Sequence, residues 1–193
     1  GEDVIYMNKD KSIVLNEEVM NDEVLNDLKA KREDFTPVAA AEVGNIFTLR
    51  YKFSEPIGLK YDDQNGEKKT VFMGSYGIGV SRVMGVIAEK FADDKGLVWP
   101  ENIAPFKYYV MGIGEKSEKI ANDLHQAHSK KILLDDRDLR QGEKFVDAEL
   151  MGIPYRVVIS DKTLEDQAVE ITERKTGKSK VVSIEEFKKM LKK

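Results

Sequence analysis

Hydrophobic and polar positions change their spacing about halfway along the chain. Up to about residue 104, short stretches that alternate apolar and polar residues are separated by polar turns, as is typical of antiparallel strands. From Lys107 onward, short apolar runs alternate with segments whose apolar residues recur every three or four positions. That alternation of strands and helices indicates an α/β sandwich with a mixed sheet. Two domains are therefore predicted, 1–104 and 105–193.

The first domain is predicted to be mainly an antiparallel sheet with one helical region. Strands are predicted at Val4–Met7, Ser12–Leu15, Glu42–Phe53, Ile57–Tyr61 and Thr70–Met73. Residues 16–35 have the apolar spacing of an exposed helix or helix pair. The dipeptide Asn65-Gly66 lies between apolar flanks and is a strong hairpin signal. This sheet leads directly into a glycine-rich stretch.

Residues 74–82, with the sequence GSYGIGVSR, join the last predicted strand to a predicted helix over Val80–Phe91. Glycines allow positive φ angles or a close backbone approach, and a helix start offers free N–H groups to a phosphate. Arg82 lies off the apolar side of the helix and can reach back to grip such an anion. The helix is predicted to bury the stripe Val80, Val83, Met84, Ile87 and Phe91. The spacing fits neither common phosphate-loop pattern, and the alternative is a tight strand-to-helix connection with a solvated arginine.

The second domain is predicted to alternate strands and helices. Strands are predicted at Tyr108–Ile113, Lys131–Leu134, Tyr155–Ser160, Val169–Glu173 and Ser179–Val182. Helices are predicted at Glu115–His128, Phe145–Met151 and Ile184–Leu191. The loop Asp135–Lys144 follows a strand, where ligands of such sheets bind. It mixes cations and carboxylates, which can bind RNA phosphates and guanine edges or can form a solvated charge network.

Composition narrows the class of protein. The 193 residues are 41% hydrophobic and 34% charged, with no apolar run long enough to span a membrane and no secretory signal pattern. Zero cysteines exclude disulfides and thiolate metal sites, which fits a cytoplasmic location. The net charge of −4 divides into −6 for residues 1–104, with 13 basic and 19 acidic side chains, and +2 for residues 105–193, with 18 and 16. RNA binding by the second domain must therefore use a local patch.

The string MGSYGIGVSR at Met73–Arg82 closely resembles motif 3 of class II aminoacyl-tRNA synthetases, in the form found in bacterial-type prolyl-tRNA synthetases. Upstream, Glu42–Phe47 is similar to a strand that this family places beside its proline pocket, although Arg50 stands where relatives commonly have glycine. Further similar strings follow in the family's order at Gly96–Pro100, Ile103–Phe106, Leu134–Arg137 and Glu149–Pro154. The resemblance covers residues from about 40 to the end.

The resemblance implies a fold and a function. Residues 1–104 would be the C-terminal portion of a class II catalytic domain, and residues 105–193 an anticodon-binding domain. The implied activity is ATP-dependent ligation of proline to tRNA(Pro) through prolyl-adenylate, with Mg²⁺, by an enzyme that is a homodimer when intact. Since motifs 1 and 2 have no counterpart upstream of residue 42, we expect a C-terminal fragment that is monomeric and inactive alone. The alternative is a free-standing, non-catalytic tRNA-binding module that keeps a vestigial nucleotide fold.

Site residues follow from the same resemblance. Arg82 is expected to be catalytic, and the expected ATP-binding residues are Gly74, Gly77, Gly79 and Arg82. The expected proline-binding residues are Asn45, Ser75 and Gly74. Glu42 is expected either to bind Mg²⁺, to hold the amino group of proline or to form a surface salt bridge. The expected anticodon-binding residues are Asp136, Arg137, Arg140 and Lys144.

Overall fold

A computed structural model describes residues 1–192 and divides the chain into two compact units, Gly1–Val86 and Ile87–Lys193. Both units combine sheets with helices, so the predicted mixed α/β class is confirmed. Within residues 1–192, every helix is too short or too polar to cross a membrane.

The first unit begins with a small antiparallel sheet of three strands in the order β2-β1-β3. The strands are β1 (Asp3–Asn8), β2 (Val14–Asn16) and β3 (Phe35–Ala40), and α1 (Asp22–Asp27) lies between β2 and β3. Leu15, Met20, Leu25 and Phe35 form its buried core. Sequence alone did not predict β3, because Pro37 cannot donate to a strand ladder. The edge position of β3 accommodates that proline.

Two short antiparallel pairs make up the rest of this unit. One pair is β4 (Gly44–Arg50) with β7 (Met73–Ile78), and the other is β5 (Lys60–Asp62) with β6 (Lys68–Thr70). Asn65-Gly66 lies between β5 and β6 as predicted, with Gly66 at φ +75°. The register of β4 against β7 shifts between Thr48 and Arg50, and Arg50 has φ +50°. A glycine would take that left-handed backbone without strain, whereas Arg50 adopts it at the β-bulge at some conformational cost.

The first part of the glycine-rich stretch is a strand, so the predicted connection over residues 74–82 is wrong for residues 74–78, which belong to β7. Gly74 and Gly77 lie within β7, and neither they nor Gly79 has a positive φ. Helix α2 (Val80–Phe91) follows after the single residue Gly79. The three glycines do not bend the chain. Because they lack a Cβ, they leave room for another group to approach the backbone closely.

The predicted buried stripe of α2 is also wrong in part. Val80 is 78% exposed, Met84 58% and Phe91 42%, while Val83 and Ile87 are partly buried. The apolar period shows which side of a helix is hydrophobic, but it does not show whether another layer covers that side.

The second unit is a five-stranded mixed sheet in the order β12-β11-β10-β8-β9. Its strands are β8 (Tyr108–Ile113), β9 (Ile132–Asp135), β10 (Tyr155–Ser160), β11 (Ala168–Glu173) and β12 (Ser179–Ser183). Its helices are α3 (Glu115–His128), α4 (Gln141–Met151), α5 (Asp161–Glu165) and α6 (Ile184–Lys192). Strands β9, β8 and β10 are mutually parallel, whereas β11 and β12 pair in antiparallel fashion. The predicted mixed sheet is confirmed, and only α5 was not predicted.

Both faces of this sheet are covered. Tyr108 and Val110 point to the side where α3 and α6 contribute Leu124 and Phe187, and Tyr109 and Met111 point to the side covered by α4. Because β8 is buried on both faces, its sequence is a continuous apolar run without alternation. Helix α3 therefore follows β8 onto one face, while α4 follows β9 onto the other. The carboxyl ends of β8 and β9 thus form a topological switch point, where such sheets open a crevice.

Candidate functional site

The ribbon β4–β7 brings two of the predicted proline-binding residues to one face. Asn45 pairs with Gly77, and Phe47 pairs with Ser75, so these four residues share a side of the ribbon. A Cβ at Gly77 would lie 3.9 Å from Asn45 Oδ1, so the glycine leaves the face in front of the amide open. Gly74 pairs with Thr48 and belongs to the opposite face. The register thus groups Asn45 and Ser75 with Gly77, and it places Gly74 apart from them.

The start of α2 folds back against the segment before β4. Arg82 Nη1 donates to the Glu42 carbonyl oxygen at 2.7 Å, and the Gly79 amide donates to the Val43 carbonyl oxygen at 2.9 Å. A Cβ at Gly79 would lie 3.3 Å from the Arg82 Cβ, so a larger residue would crowd the arginine. Asn45 Nδ2 donates to Glu42 Oε1 at 2.8 Å. Glu42, Asn45 and Arg82 are therefore neighbours at one end of the ribbon.

Arg82 keeps most of its hydrogen-bonding capacity for a ligand. Its side chain is 49% exposed, and Nη2 is 4.0 Å from Glu2 Oε1, at the outer limit of an ion pair. A guanidinium carries five N–H groups, and one contact to a carbonyl oxygen leaves the fork able to hold an oxyanion. The exposed start of α2 adds the positive end of a helix dipole beside it. This end of the ribbon can bind a phosphate.

Glu42 offers a metal ion only one carboxylate. Its Oε1 already accepts from Asn45, and residues 1–192 contain no cluster of three or more His, Asp or Glu that could hold a metal. A magnesium ion that is held chiefly by phosphate oxygens needs only one or two protein carboxylates. The residues present therefore fit Mg²⁺ only as a companion of a bound nucleotide.

The loop after β9 is built around the carboxylate of Asp135, whose side chain is fully buried. Tyr109, on the neighbouring strand β8, donates its hydroxyl to Asp135 Oδ2. Arg137 donates from Nε to Asp135 Oδ1 and from Nη2 to Asp135 Oδ2, both at 2.9 Å. Arg137 Nη1 also pairs with Asp147 of α4 at 2.8 Å. The predicted RNA-binding Arg137 thus binds the protein through all three of its guanidinium nitrogens.

These contacts set the protonation states of the network. Burial by itself raises the pKa of Asp135, but the hydrogen bonds from Arg137 and Tyr109 outweigh it and lower that pKa to about 2. Burial, and then the hydrogen bond to Asp135, raises the pKa of Tyr109 well above its ordinary range. Asp135 is therefore ionised and Tyr109 neutral at physiological pH, so the hydrogen bond between them joins a charged acceptor to a neutral donor.

The other predicted loop residues differ in exposure. Asp136 and Arg140 are exposed, and within residues 1–192 the Arg140 side chain makes no hydrogen bond or ion pair. Lys144 is only 5% exposed, and its ammonium donates to the Asp135 carbonyl oxygen at 3.4 Å. Sequence analysis missed Tyr109 and Asp147. The reason is that a tyrosine in an apolar strand is ordinarily interpreted as a core residue, and a single aspartate on a helix as a surface residue.

Residues 105–193 match the family model described as "Anticodon binding domain". The chain is 42% identical over 156 residues to the proline–tRNA ligase of Persephonella marina, a match that covers 78% of this chain and 28% of the relative. It is 44% identical over 153 residues to the proline–tRNA ligase of Bacillus mycoides, covering 76% of this chain and 27% of the relative. The chain thus spans just over a quarter of the length of these curated relatives.

Solved structures show the same fold. The prolyl-tRNA synthetase of Cryptosporidium parvum complexed with L-proline and AMP superimposes with a TM-score of 0.67 at 24% identity, covering 78% of this chain and 33% of that one. The same enzyme complexed with halofuginone and AMPPNP gives a TM-score of 0.66 at 23% identity, with the same coverage.

Proposed function

We propose that this chain, which belongs to the prolyl-tRNA synthetase family, is the C-terminal part of an enzyme that joins proline to tRNA(Pro) in an ATP-dependent reaction. The observation that carries the proposal is the identity of about 40% to proline–tRNA ligases along more than three quarters of the chain. That length exceeds either structural unit, so the similarity extends into both of them. We place the boundary between the catalytic portion and the anticodon-binding domain at residues 104 and 105.

In the first unit, the ribbon β4–β7 would hold proline and one end of ATP. Asn45 and Ser75 lie on one face of the ribbon, and Gly77 leaves that face open to a small ring. Arg82 lies beside Glu42 and Asn45 and can neutralise phosphate charge as the proline carboxylate attacks the α-phosphate and pyrophosphate leaves. The contribution of these residues is positioning and charge stabilisation, which need no covalent bond to the protein.

In the second unit, the segment predicted as a loop, Asp135–Lys144, would contact the anticodon; in the structure it runs from the last residue of β9 through a short loop into the first turn of α4. Asp136 and Arg140 are exposed and offer an acceptor and a forked donor to unstacked bases. Arg137 is the exception among the residues predicted from sequence, because its guanidinium holds Asp135 and Asp147. We assign it to the support of the loop.

A chimera tests the proposal. The matching segment of the Bacillus mycoides proline–tRNA ligase is replaced by this chain, and proline-dependent ATP–pyrophosphate exchange and proline attachment to tRNA are measured. We expect both activities, and Arg82→Ala should lower the exchange rate about 10²- to 10³-fold, as for loss of one preorganised charge donor. Lys90→Ala, at the far end of the same helix, is the matched control and should leave the rate unchanged.

Two outcomes would contradict the proposal in different ways. A folded chimera that binds tRNA but supports neither activity would indicate a non-catalytic tRNA-binding module. An active chimera in which Arg82→Ala has no effect would remove Arg82 from the site while leaving the family function in place.

A further inference from the structure

The segment 41–43 joins β3 to β4 and belongs to neither strand, so the strand ladders do not hold its backbone. Groups from two other elements hold it instead. The Glu42 amide donates to Asp3 Oδ2 at 3.0 Å. On the other side, the Glu42 carbonyl oxygen accepts from Arg82, and the next carbonyl oxygen accepts from the Gly79 amide. The segment therefore lies between the first strand of the chain and the start of α2.

The position of Asp3 is fixed by the small three-stranded sheet and not by the ribbon. Asp3 is the first residue of β1 and pairs with Ala40, the last residue of β3, at the end of a register that continues to Asn8. The sheet packs on its own buried core. A carboxylate that accepts from a backbone N–H forms a charge-assisted hydrogen bond, which is stronger than a bond between neutral groups. Asp3 thus ties the backbone just beyond β3 to a separately packed sheet.

Arg82 depends on this segment for its orientation. Its side chain is 49% exposed, and the 2.7 Å hydrogen bond to the Glu42 carbonyl oxygen is its shortest polar contact within residues 1–192. The ion pair with Glu2 is much longer, at 4.0 Å. An arginine side chain loses considerable rotamer freedom when it is held in one place. The guanidinium is therefore only as well placed as the carbonyl oxygen that accepts from it.

We propose that Asp3 is a positioning residue for the adenylation reaction. By holding the Glu42 amide, Asp3 fixes the carbonyl oxygen of the same residue, and that oxygen orients Arg82 toward the phosphates. Asp3 itself touches no substrate. The inference rests on the proposed function, and it gives the small sheet at the start of the chain a part in catalysis. A shift of about 1 Å in a positioning group can lower a rate about 10²-fold, so one distant hydrogen bond is enough to matter.

The test uses the chimeric enzyme described above and proline-dependent ATP–pyrophosphate exchange. Asp3→Ala removes the acceptor and should lower the exchange rate about 10- to 100-fold. Asp3→Asn keeps an oxygen that can accept from the Glu42 amide, so it should recover most of that loss. Asp10→Ala is the matched control, because it removes an exposed aspartate of the same sheet region that accepts from Ser12, and it should leave the rate unchanged.

A double variant separates positioning from a general effect on the fold. If Asp3 acts through Arg82, the variant that carries both Asp3→Ala and Arg82→Ala should be little slower than Arg82→Ala alone. Asp3→Val also lacks the acceptor but favours a strand, so it keeps the test valid where Asp3→Ala weakens the sheet. It should show the same loss and the same lack of additivity.

The outcomes that contradict the inference differ from those that contradict the proposed function. Losses that multiply in the double variant would show that Asp3 acts independently of Arg82 and would overturn the inference. An unchanged rate in Asp3→Ala and Asp3→Val, or an Asp3→Asn variant as slow as Asp3→Ala, would overturn it as well. Each of these results would leave the family function in place. A folded wild-type chimera without exchange activity would contradict the proposed function and this inference together.

Discussion

Replacing Asp135 by asparagine should destabilise the second unit in a pH-dependent way. The substitution keeps the shape of the side chain but removes the charge that Arg137 and Tyr109 hold in a fully buried position. The amide also turns one acceptor into a donor, which then faces the donors of Arg137. The variant therefore isolates the contribution of a single buried carboxylate.

The magnitude follows from the pKa of Asp135, which is lowered from the ordinary 3.8 to about 2. At about 1.4 kcal/mol for each pH unit between these values, the ionised carboxylate contributes about 2 kcal/mol to the free energy of unfolding at pH 7. Because the folded-state pKa is the lower one, this contribution is complete above about pH 5. It is lost as the pH falls from about 4 toward 2, and roughly half of it should remain at pH 3.

Urea unfolding at pH 7, 5, 4 and 3 measures the effect. Trp99 is the only tryptophan and lies in the second unit, where its amide donates to the Gly152 carbonyl oxygen, so its fluorescence reports on this unit. Asp138→Asn, an equal change of charge at an exposed position of the same loop, is the control and should change the stability little.

The comparison of variant with wild type cancels the titration of all other groups. A difference between wild type and Asp135→Asn that stays constant from pH 7 to pH 3 would refute the reasoning, since it would trace the loss to shape and not to charge. Equal stability at pH 7 would refute the network as a source of stability altogether.

Two further substitutions test other contacts of the second unit by the same urea assay. Gly152→Ala should lower the free energy of unfolding by more than about 2 kcal/mol, because φ is +72° and the new Cβ would lie 2.1 Å from a backbone carbonyl oxygen. The control Gly177→Ala, at φ +67° with open space around it, should lower it by only about 1 kcal/mol. Equal losses in the two variants would contradict the steric argument. Arg174→Met should lower the free energy of unfolding by about 1–3 kcal/mol, because this nearly buried arginine binds both oxygens of Asp93 at 2.6–2.7 Å. The control is Lys175→Met, at the exposed neighbouring residue, which should leave the free energy of unfolding almost unchanged. An unaffected Arg174→Met variant would show that Asp93 finds equivalent partners in water.

The second unit was largely predictable from the sequence. The bounds of β8, α3 and β10 are those expected from the apolar runs and the helical period. Both signals are strong there because a sheet covered on both faces demands continuous apolar strands, and each helix must keep one side apolar. Helix α5 was missed because it has only five residues, too few for a period to emerge.

The first unit was less predictable, and the glycine-rich segment shows why. Gly74 and Gly77 suggested a turn, since glycine is the usual residue where a chain bends, yet both lie in the extended strand β7. A glycine in a strand marks a place where something approaches the backbone closely, and local sequence does not separate that use from a turn. The opposite faces of Ser75 and Gly74 likewise follow from strand register, which depends on pairing with distant residues.

In the loop after β9, the sequence predicts a binding segment but does not distinguish the structural roles of its side chains. The three cations of this segment, Arg137, Arg140 and Lys144, are alike in charge, and only their tertiary contacts distinguish them. Arg137 is braced by Asp135 and Asp147, Arg140 is exposed, and Lys144 is buried. Such differences arise from partners on β8 and α4 that no local pattern connects to the loop.

If the second unit binds RNA as proposed, the bridge from Tyr109 to Asp135 and Arg137 affects the thermodynamics of that binding. This part of the loop is fixed to a core strand when the protein folds. The conformational entropy lost on ordering it is therefore lost during folding and not during association. Binding should then show only the modest heat-capacity change of two preformed surfaces, without the larger signal of a segment that folds on its ligand. Discrimination between anticodons would come from a rigid template, so a mismatched base meets fixed groups that cannot rearrange to accept it.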